Sequence, residues 1–194
     1  MQPDPLPRAL GRVVLRRLAL ADLRRFQAYR HDPEVGRYQG WEPQPDHEAT
    51  LLIEAMSQVD LFPRGAWVQL GIAIGSTNEL IGDVGVCVGA DARRAEVGFT
   101  IARPAQGGGL GTEAVRGLIQ FIFEQTDVAE VVAVTDQRNF SAGRLLERIG
   151  MRNMETLHTS FRGEPCVEHL WTISRAAARD QSSSDQIDRS RSTP

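Results

Sequence analysis

Apolar positions change their period several times along the chain, and each change marks a new element. Residues 1–8, MQPDPLPR, are proline-rich and read as an extended lead-in, followed by a β-like run RVVLRRL at 12–18. Leu20, Leu23, Phe26 and Tyr29 then recur every three residues, which predicts a helix with Asp22 near its start. The segment 31–46, HDPEVGRYQGWEPQPD, carries prolines and glycines and is expected to be loop. Asp46 is a candidate N-cap for a second helix, whose apolar stripe is Ala49, Leu52, Ile53, Met56 and Val59.

The middle of the chain switches to β character. AWVQLGIAI (66–74), ELIGDVGVCV (79–88) and RAEVGFTIA (94–102) are parted by short turn-rich gaps, which suit antiparallel neighbours. Ala114, Val115, Leu118, Ile119 and Ile122 form the stripe of a third helix, and VAEVVAVT (128–135) reads as a buried strand beyond it. Crossing a helix to reach that strand implies a parallel step. NFSAGRLLERIG predicts a short helix with Leu145, Leu146 and Ile149 inward and Gly150 closing it. METLHTSF and CVEHLWTI form an expected hairpin across RGEP. From residue 176 the chain turns polar and is expected to be a disordered tail. The organisation expected is a lead-in (1–10), one mixed α/β or α+β domain (11–175) and the tail (176–194).

Composition narrows the chemistry. The chain has 194 residues, 41% hydrophobic and 24% charged, with a net charge of −3. That balance fits an ordinary globular domain and argues against a general nucleic-acid binder. All 22 basic residues are arginine. The absence of lysine excludes a Walker A lysine and a lysine Schiff base. Cys87 and Cys166 lie far apart and read as plain thiols. His31, His47, His158 and His169 lack metal-ligand spacing, so no metal is expected. No apolar run approaches the ~20 residues of a membrane helix, and the expected location is cytoplasmic.

One stretch stands apart: RPAQGGGLGTEA, from Arg103 to Ala114. A strand leads in, glycine fills four of five positions from Gly107 to Gly111, and a helix begins at once. A tight turn needs one or two glycines. A helix N-terminus presents unpaired amides and a partial positive charge, so a loop bare of side chains there can wrap a phosphate. Gly109, Gly111 and Ala114 also fit G-x-G-x-x-A, but a dinucleotide fold needs several further parallel βα units. Only strand, helix and hairpin remain.

Gln106-Gly107-Gly108-Gly109-Leu110-Gly111 resembles the Q/R-x-x-G-x-G/A pyrophosphate loop of the GNAT N-acetyltransferases. LRRLALADLRRFQAYRHDPEVGRYQGW, LIGDVGV, AEVGFTIARPAQGGGLGTEAV and NFSAGRLLERIGMR follow the order seen in the RimJ/RimL-like branch, over roughly residues 11–174. The resemblance implies a twisted, mostly antiparallel sheet of about seven strands with about four helices. It implies acetyl-CoA as cosubstrate, with the sheet splayed where AEVGFTIA parts from VAEVVAVT. By the same resemblance Phe99, Thr100 and Ile101 line the pantetheine arm, amides from Gly107 through Gly108, Gly109, Leu110 and Gly111 to Thr112 hold the pyrophosphate, Gln106 shapes the loop and Asn139 reaches the pantetheine side.

Acetyl transfer of this kind is expected to run directly to a neutral primary amine, of a protein N-terminus or a small molecule. Neutralising an α-amine at pH 7 costs on the order of 1 kcal/mol, and a lysine-like amine nearly 5. Glu96 is the first candidate base and Asp83, in the neighbouring strand, the second. By the same resemblance Tyr29, Tyr38 and Trp41 lie where relatives build the acceptor wall. Two positions depart from the family pattern. Leu146 stands where many members carry a tyrosine acid, and Ala142 falls on the serine position, with Ser141 one residue early as a helix cap or a catalytic hydroxyl. A non-catalytic CoA-binding protein and, less so, a dinucleotide-binding protein are the alternatives. A homodimer is left open.

Overall fold

Among the described residues, eight strands form one sheet. They are β1 (Arg8–Leu10), β2 (Val13–Arg16), β3 (Trp67–Ile74), β4 (Leu80–Val88), β5 (Arg94–Ile101), β6 (Glu130–Asp136), β7 (Arg152–Phe161) and β8 (Glu164–Ser174). The computed structural model describes residues 4–180. Strand order is β1-β2-β3-β4-β5-β6-β8-β7, and every neighbouring pair is antiparallel except β5 with β6. Six helices accompany the sheet: α1 (Leu23–Arg30), α2 (Pro33–Gly36), α3 (Asp46–Gln58), α4 (Leu110–Gln125), α5 (Phe140–Arg148) and α6 over residues 175–180.

The counts slightly exceed those expected. The additional strand is β1, which takes up the end of the proline-rich lead-in and is held by an Arg8–Glu124 ion pair at 2.6 Å. Within the segment expected to be loop, Asp32 accepts from the Glu34 amide at 3.0 Å and starts the single-turn α2. Asp46 is the first residue of α3 rather than its cap, a position held by Pro45. Residues 175–180 are helical where the polar tail was expected to begin. There Ala178 is buried and the Arg175 guanidinium donates to the carbonyls of Thr126 and Val128. Residues 181–194 lie outside the described part.

The sheet buries its two faces separately. On one, α4 packs Ala114, Val115, Leu118 and Ile122 against Val68, Leu70, Val84, Val86 and Val97. On the other, α1 and α3 cover a smaller cluster of Leu18, Phe26, Tyr29, Ala49, Ile53 and Leu80. That second face also carries charge. Asp83 on β4 is 2% exposed, and its Oδ2 accepts from the Tyr29 hydroxyl at 2.5 Å and from Arg30 Nη2 at 3.0 Å. The Arg30 guanidinium sits 4.6 Å from the Phe26 ring centroid and 4.4 Å from that of Trp41. Burial, reinforced by the Asp83 charge, pushes the Tyr29 phenol well above its ordinary value, so it remains a donor.

Removing one partner of such a buried pair strands the other charge, at a cost of about 3–5 kcal/mol. Asp83→Ala is therefore expected to lose about that much stability in urea denaturation. A loss below about 1 kcal/mol would mean that water reaches Arg30 and that the pair does not anchor α1.

Candidate active site

β5 and β6 pair over three residues only, Arg94–Glu96 with Glu130–Val132. Past that register β5 runs on to Ile101 and β6 to Asp136, and a cleft of about 830 Å³ opens between them. Val97, Gly98, Phe99 and Ile101 line one side, and Ala133, Val134, Thr135 and Asp136 the other. β6 keeps its full ladder with β8 along the cleft, so the opening costs β6 pairing on one edge only.

The glycine loop closes the end of the cleft beyond β5. Gly107 and Gly109 have φ of +81° and +80°, in the left-handed region that disfavours side chains. Gly109 is the N-cap of α4, and the Glu113 amide makes the first helical bond back to it at 3.1 Å. The amides at the start of α4 thus have no acceptor one turn earlier. A Cβ added at Gly107 or Gly108 would meet nothing within 4 Å, so the loop is bare over open space. Gly111 serves a different end: a Cβ there would lie 3.1 Å from Ile101 and 3.2 Å from Leu145. Its missing side chain lets α4 pack against β5 and α5.

Side chains brace this cradle. Gln106 Nε2 donates to the Ile101 carbonyl at 2.8 Å, tying the loop to the end of β5. Arg103, the loop's own cation, is engaged by Asp32, with Nε to Oδ2 at 3.0 Å. Arg144 and Arg148, one turn apart on α5, line the cleft near Gly111 and Thr112. Sequence reasoning missed them; their i, i+4 spacing on a helix after the β6 strand was the available signal.

Most of the expected cofactor residues converge here. Phe99, Ile101, Gln106, Gly107, Gly109, Gly111, Thr112 and Asn139 all line the cleft, whereas Thr100, Gly108 and Leu110 are not among its lining residues. Thr100 is buried on the opposite face, in register with Asp83. The Asn139 side chain accepts from the Ala142 amide at 3.2 Å and so caps α5. Ser141, expected as that cap, is instead exposed and lines the cleft. Ala142 also lines it, while Leu146 is fully buried in the core.

The expected acceptor and base residues divide. Tyr38 lines the cleft, but Trp41 and Tyr29 do not: the Trp41 ring packs on Arg30, and the buried Tyr29 hydroxyl donates to Asp83. Glu34 and Gln39, not singled out from the sequence, line it too. Asp83 is turned beneath α1 into the bonds described above. Glu96 forms, with Val132, the last registered pair before the strands part. The residue is exposed, yet partial desolvation, and then the Glu168 charge, push its carboxyl above the ordinary value.

A strand-edge cleft that ends on a glycine-built helix N-terminus can hold an extended ligand terminating in phosphate. The acetyltransferase (GNAT) domain model matches this chain over residues 12–152. The chain belongs to the GNAT acetyltransferase family. It is 28% identical over 143 residues to the uncharacterized N-acetyltransferase p20 of Bacillus licheniformis, covering 73% of this chain and 79% of that protein. It is 27% identical over 166 residues to the uncharacterized N-acetyltransferase YoaA of Bacillus subtilis, covering 84% and 93%. Spermidine N-acetyltransferase from Vibrio cholerae, solved with CoA and spermine, shares the fold at a TM-score of 0.72 and 20% identity, covering 86% and 98%.

The two kinds of loop glycine separate experimentally. Gly108→Ala meets neither a clash nor a left-handed φ and is expected to change stability by less than about 0.5 kcal/mol. Gly109→Ala places a Cβ at φ +80° and is expected to cost about 1–2 kcal/mol. Thermal melts of both variants check this, and equal losses would contradict it.

Proposed function

We propose that this GNAT domain transfers an acetyl group from acetyl-CoA to a primary amine by direct attack, and that it belongs to the RimJ/RimL-like branch. The observation that carries the proposal is the splay of β5 from β6 onto the bare glycine cradle. The four sequence segments shared in order with the RimJ/RimL-like branch support the narrower placement. CoA and spermine in the Vibrio cholerae structure support an amine acceptor, whether a protein N-terminus or a small amine.

The cleft fits the cosubstrate in its chemistry. Amides from Gly107 to Thr112 and the Arg144 and Arg148 guanidiniums would hold the phosphates, and the free edge of β5 at Phe99 would hold the pantetheine arm. Bound acetyl-CoA would supply the thioester carbonyl. Glu96, at the vertex of the splay, is our choice of base, acting directly or through a water. It takes the proton from the incoming ammonium; the neutral amine nitrogen then bonds to the acetyl carbon as the C–S bond breaks. The sulfur leaves as the CoA thiolate, and the proton shed by the new amide nitrogen passes to that thiolate or to solvent. A thiol's ordinary pKa of about 8.5 makes the sulfur a good leaving group without a strong acid, so Leu146 and Ala142 need not impair turnover. Asp83 is left to structure.

Thermal shift tests the cosubstrate: CoA at 100 times its Kd should stabilise by about 2.7 kcal/mol. Gly109→Val, which puts a side chain at a position lining the cleft, should remove that shift, and a response to NAD but not CoA would overturn the proposal. An amine panel read by mass spectrometry then tests transfer; CoA binding without any product would favour the non-catalytic alternative.

Glu96→Gln should lower kcat at neutral pH by roughly 10²–10⁴-fold, with partial recovery at high pH. Because the Glu96 carboxyl is raised and must be ionised to act, the acid limb of the wild-type profile should lie above the ordinary glutamate value. Glu168→Gln removes a like charge and should move that limb to lower pH, short of the ordinary value because desolvation remains. An unmoved limb in Glu168→Gln, or an unchanged profile in Glu96→Gln, removes Glu96 from the role.

A further inference from the structure

Where β6 leaves β5, the free β5 edge does not lie bare. The carbonyl of Phe99 accepts from Gln39 Nε2 at 3.2 Å, and that of Ile101 accepts from Gln106 Nε2 at 2.8 Å. Residues two apart in a strand point their backbone groups to the same edge. Two side-chain amides thus sit at the strand repeat along the edge that faces the cleft, as the amides of an added strand would.

The two glutamines are anchored differently. Gln106 lies in the phosphate loop, five residues from its acceptor, and bonds locally. Gln39 reaches across from the irregular segment between α2 and α3. Its own carbonyl and that of Trp41 accept from Arg162 at the β7–β8 turn, at 3.5 and 3.2 Å. Tyr38, next in sequence, lines the cleft.

Resting on the CoA reading above, we propose that Gln39 is a placeholder for the pantetheine amide. In the free protein it satisfies the Phe99 carbonyl that an extended ligand would need. Ligand docking displaces it, while Gln106 stays. Residues 37–41 thereby lose their tie to β5 when the cofactor arm is seated, so the segment carrying Tyr38 is rearranged by cofactor binding. Gln39 is a positioning residue, acting through the β5 edge rather than on reacting atoms.

The probe is CoA itself, titrated calorimetrically into wild type, Gln39→Ala and Gln39→Glu, with melting temperatures measured in parallel. Gln39→Ala has no bond to give up and is expected to bind CoA about fivefold more tightly, the equivalent of one net hydrogen bond. Gln39→Glu keeps the size but cannot donate when ionised, and should also bind more tightly than wild type. Equal or weaker binding by folded Gln39→Ala overturns the placeholder and leaves the CoA reading standing. Failure of wild type to bind CoA overturns both. Should either variant not fold, the wild-type Gln39 side-chain amide resonance decides. It should shift on adding CoA, and an unmoved resonance at saturation overturns the proposal.

Discussion

The three-residue ladder between β5 and β6 is the constraint on which the rest of this structure turns. A full-length pairing would fill the centre of the sheet and leave nothing to hold a ligand. A complete break would split the sheet in two. Stopping at Glu96 and Val132 keeps one sheet and opens one wedge. Unpaired backbone groups in a partly buried wedge are costly, which is why their partners matter. β6 turns its other edge to β8, and on β5 Gln39 and Gln106 cover two carbonyls. The α4 crossover returns the chain from one side of the wedge to the other, and so brings its N-terminus to the end of β5.

An all-arginine chain supports this arrangement in a way lysine would not. Guanidinium groups hold backbone carbonyls at several joints where no strand or helix partner exists. Arg175 ties α6 to the Thr126 and Val128 carbonyls, Arg17 reaches Val59, and Arg162 reaches Trp41. Arg30 does more, since its guanidinium lies over both the Phe26 and Trp41 rings while bonding Asp83. A lysine ammonium offers neither the flat face nor the fork. Two arginines on α5, Arg144 and Arg148, line the cleft and give it positive charge.

Long periodic segments made much of the fold legible. The stripe of α4 and the short gaps between β3, β4 and β5 correspond to the observed elements, because burial there follows the local period. What escaped was set by single contacts. α2 is one turn long and depends on the Asp32 cap, too little pattern to detect. β1 was hidden by the prolines before it. The cap of α5 fell to Asn139 rather than Ser141 because the helix begins at Phe140, two residues earlier than a serine cap would require. In the site, the glycine loop was visible as a compositional excess. The splay came through family resemblance, since no local pattern distinguishes a paired strand edge from a parted one. Gln39 was invisible because its partner lies sixty positions away in sequence.

Glu96, the proposed base, does not line the cleft, and the sheet's two faces are the reason. Alternation along β5 puts Val97 and Phe99 toward α4, and Glu96, Gly98 and Thr100 toward α1. A carboxylate is thus held on one face while the cleft runs along the strand edge. Between them lies Gly98, where a Cβ would meet nothing within 4 Å and φ is not left-handed. Neither packing nor backbone conformation demands glycine at that position. On the proposed reading, an amine approaching from the Glu96 side would cross this bare position to reach a thioester held at the Phe99 edge. A side chain at Gly98 would narrow that route, which is a reason for glycine that neither packing nor φ supplies.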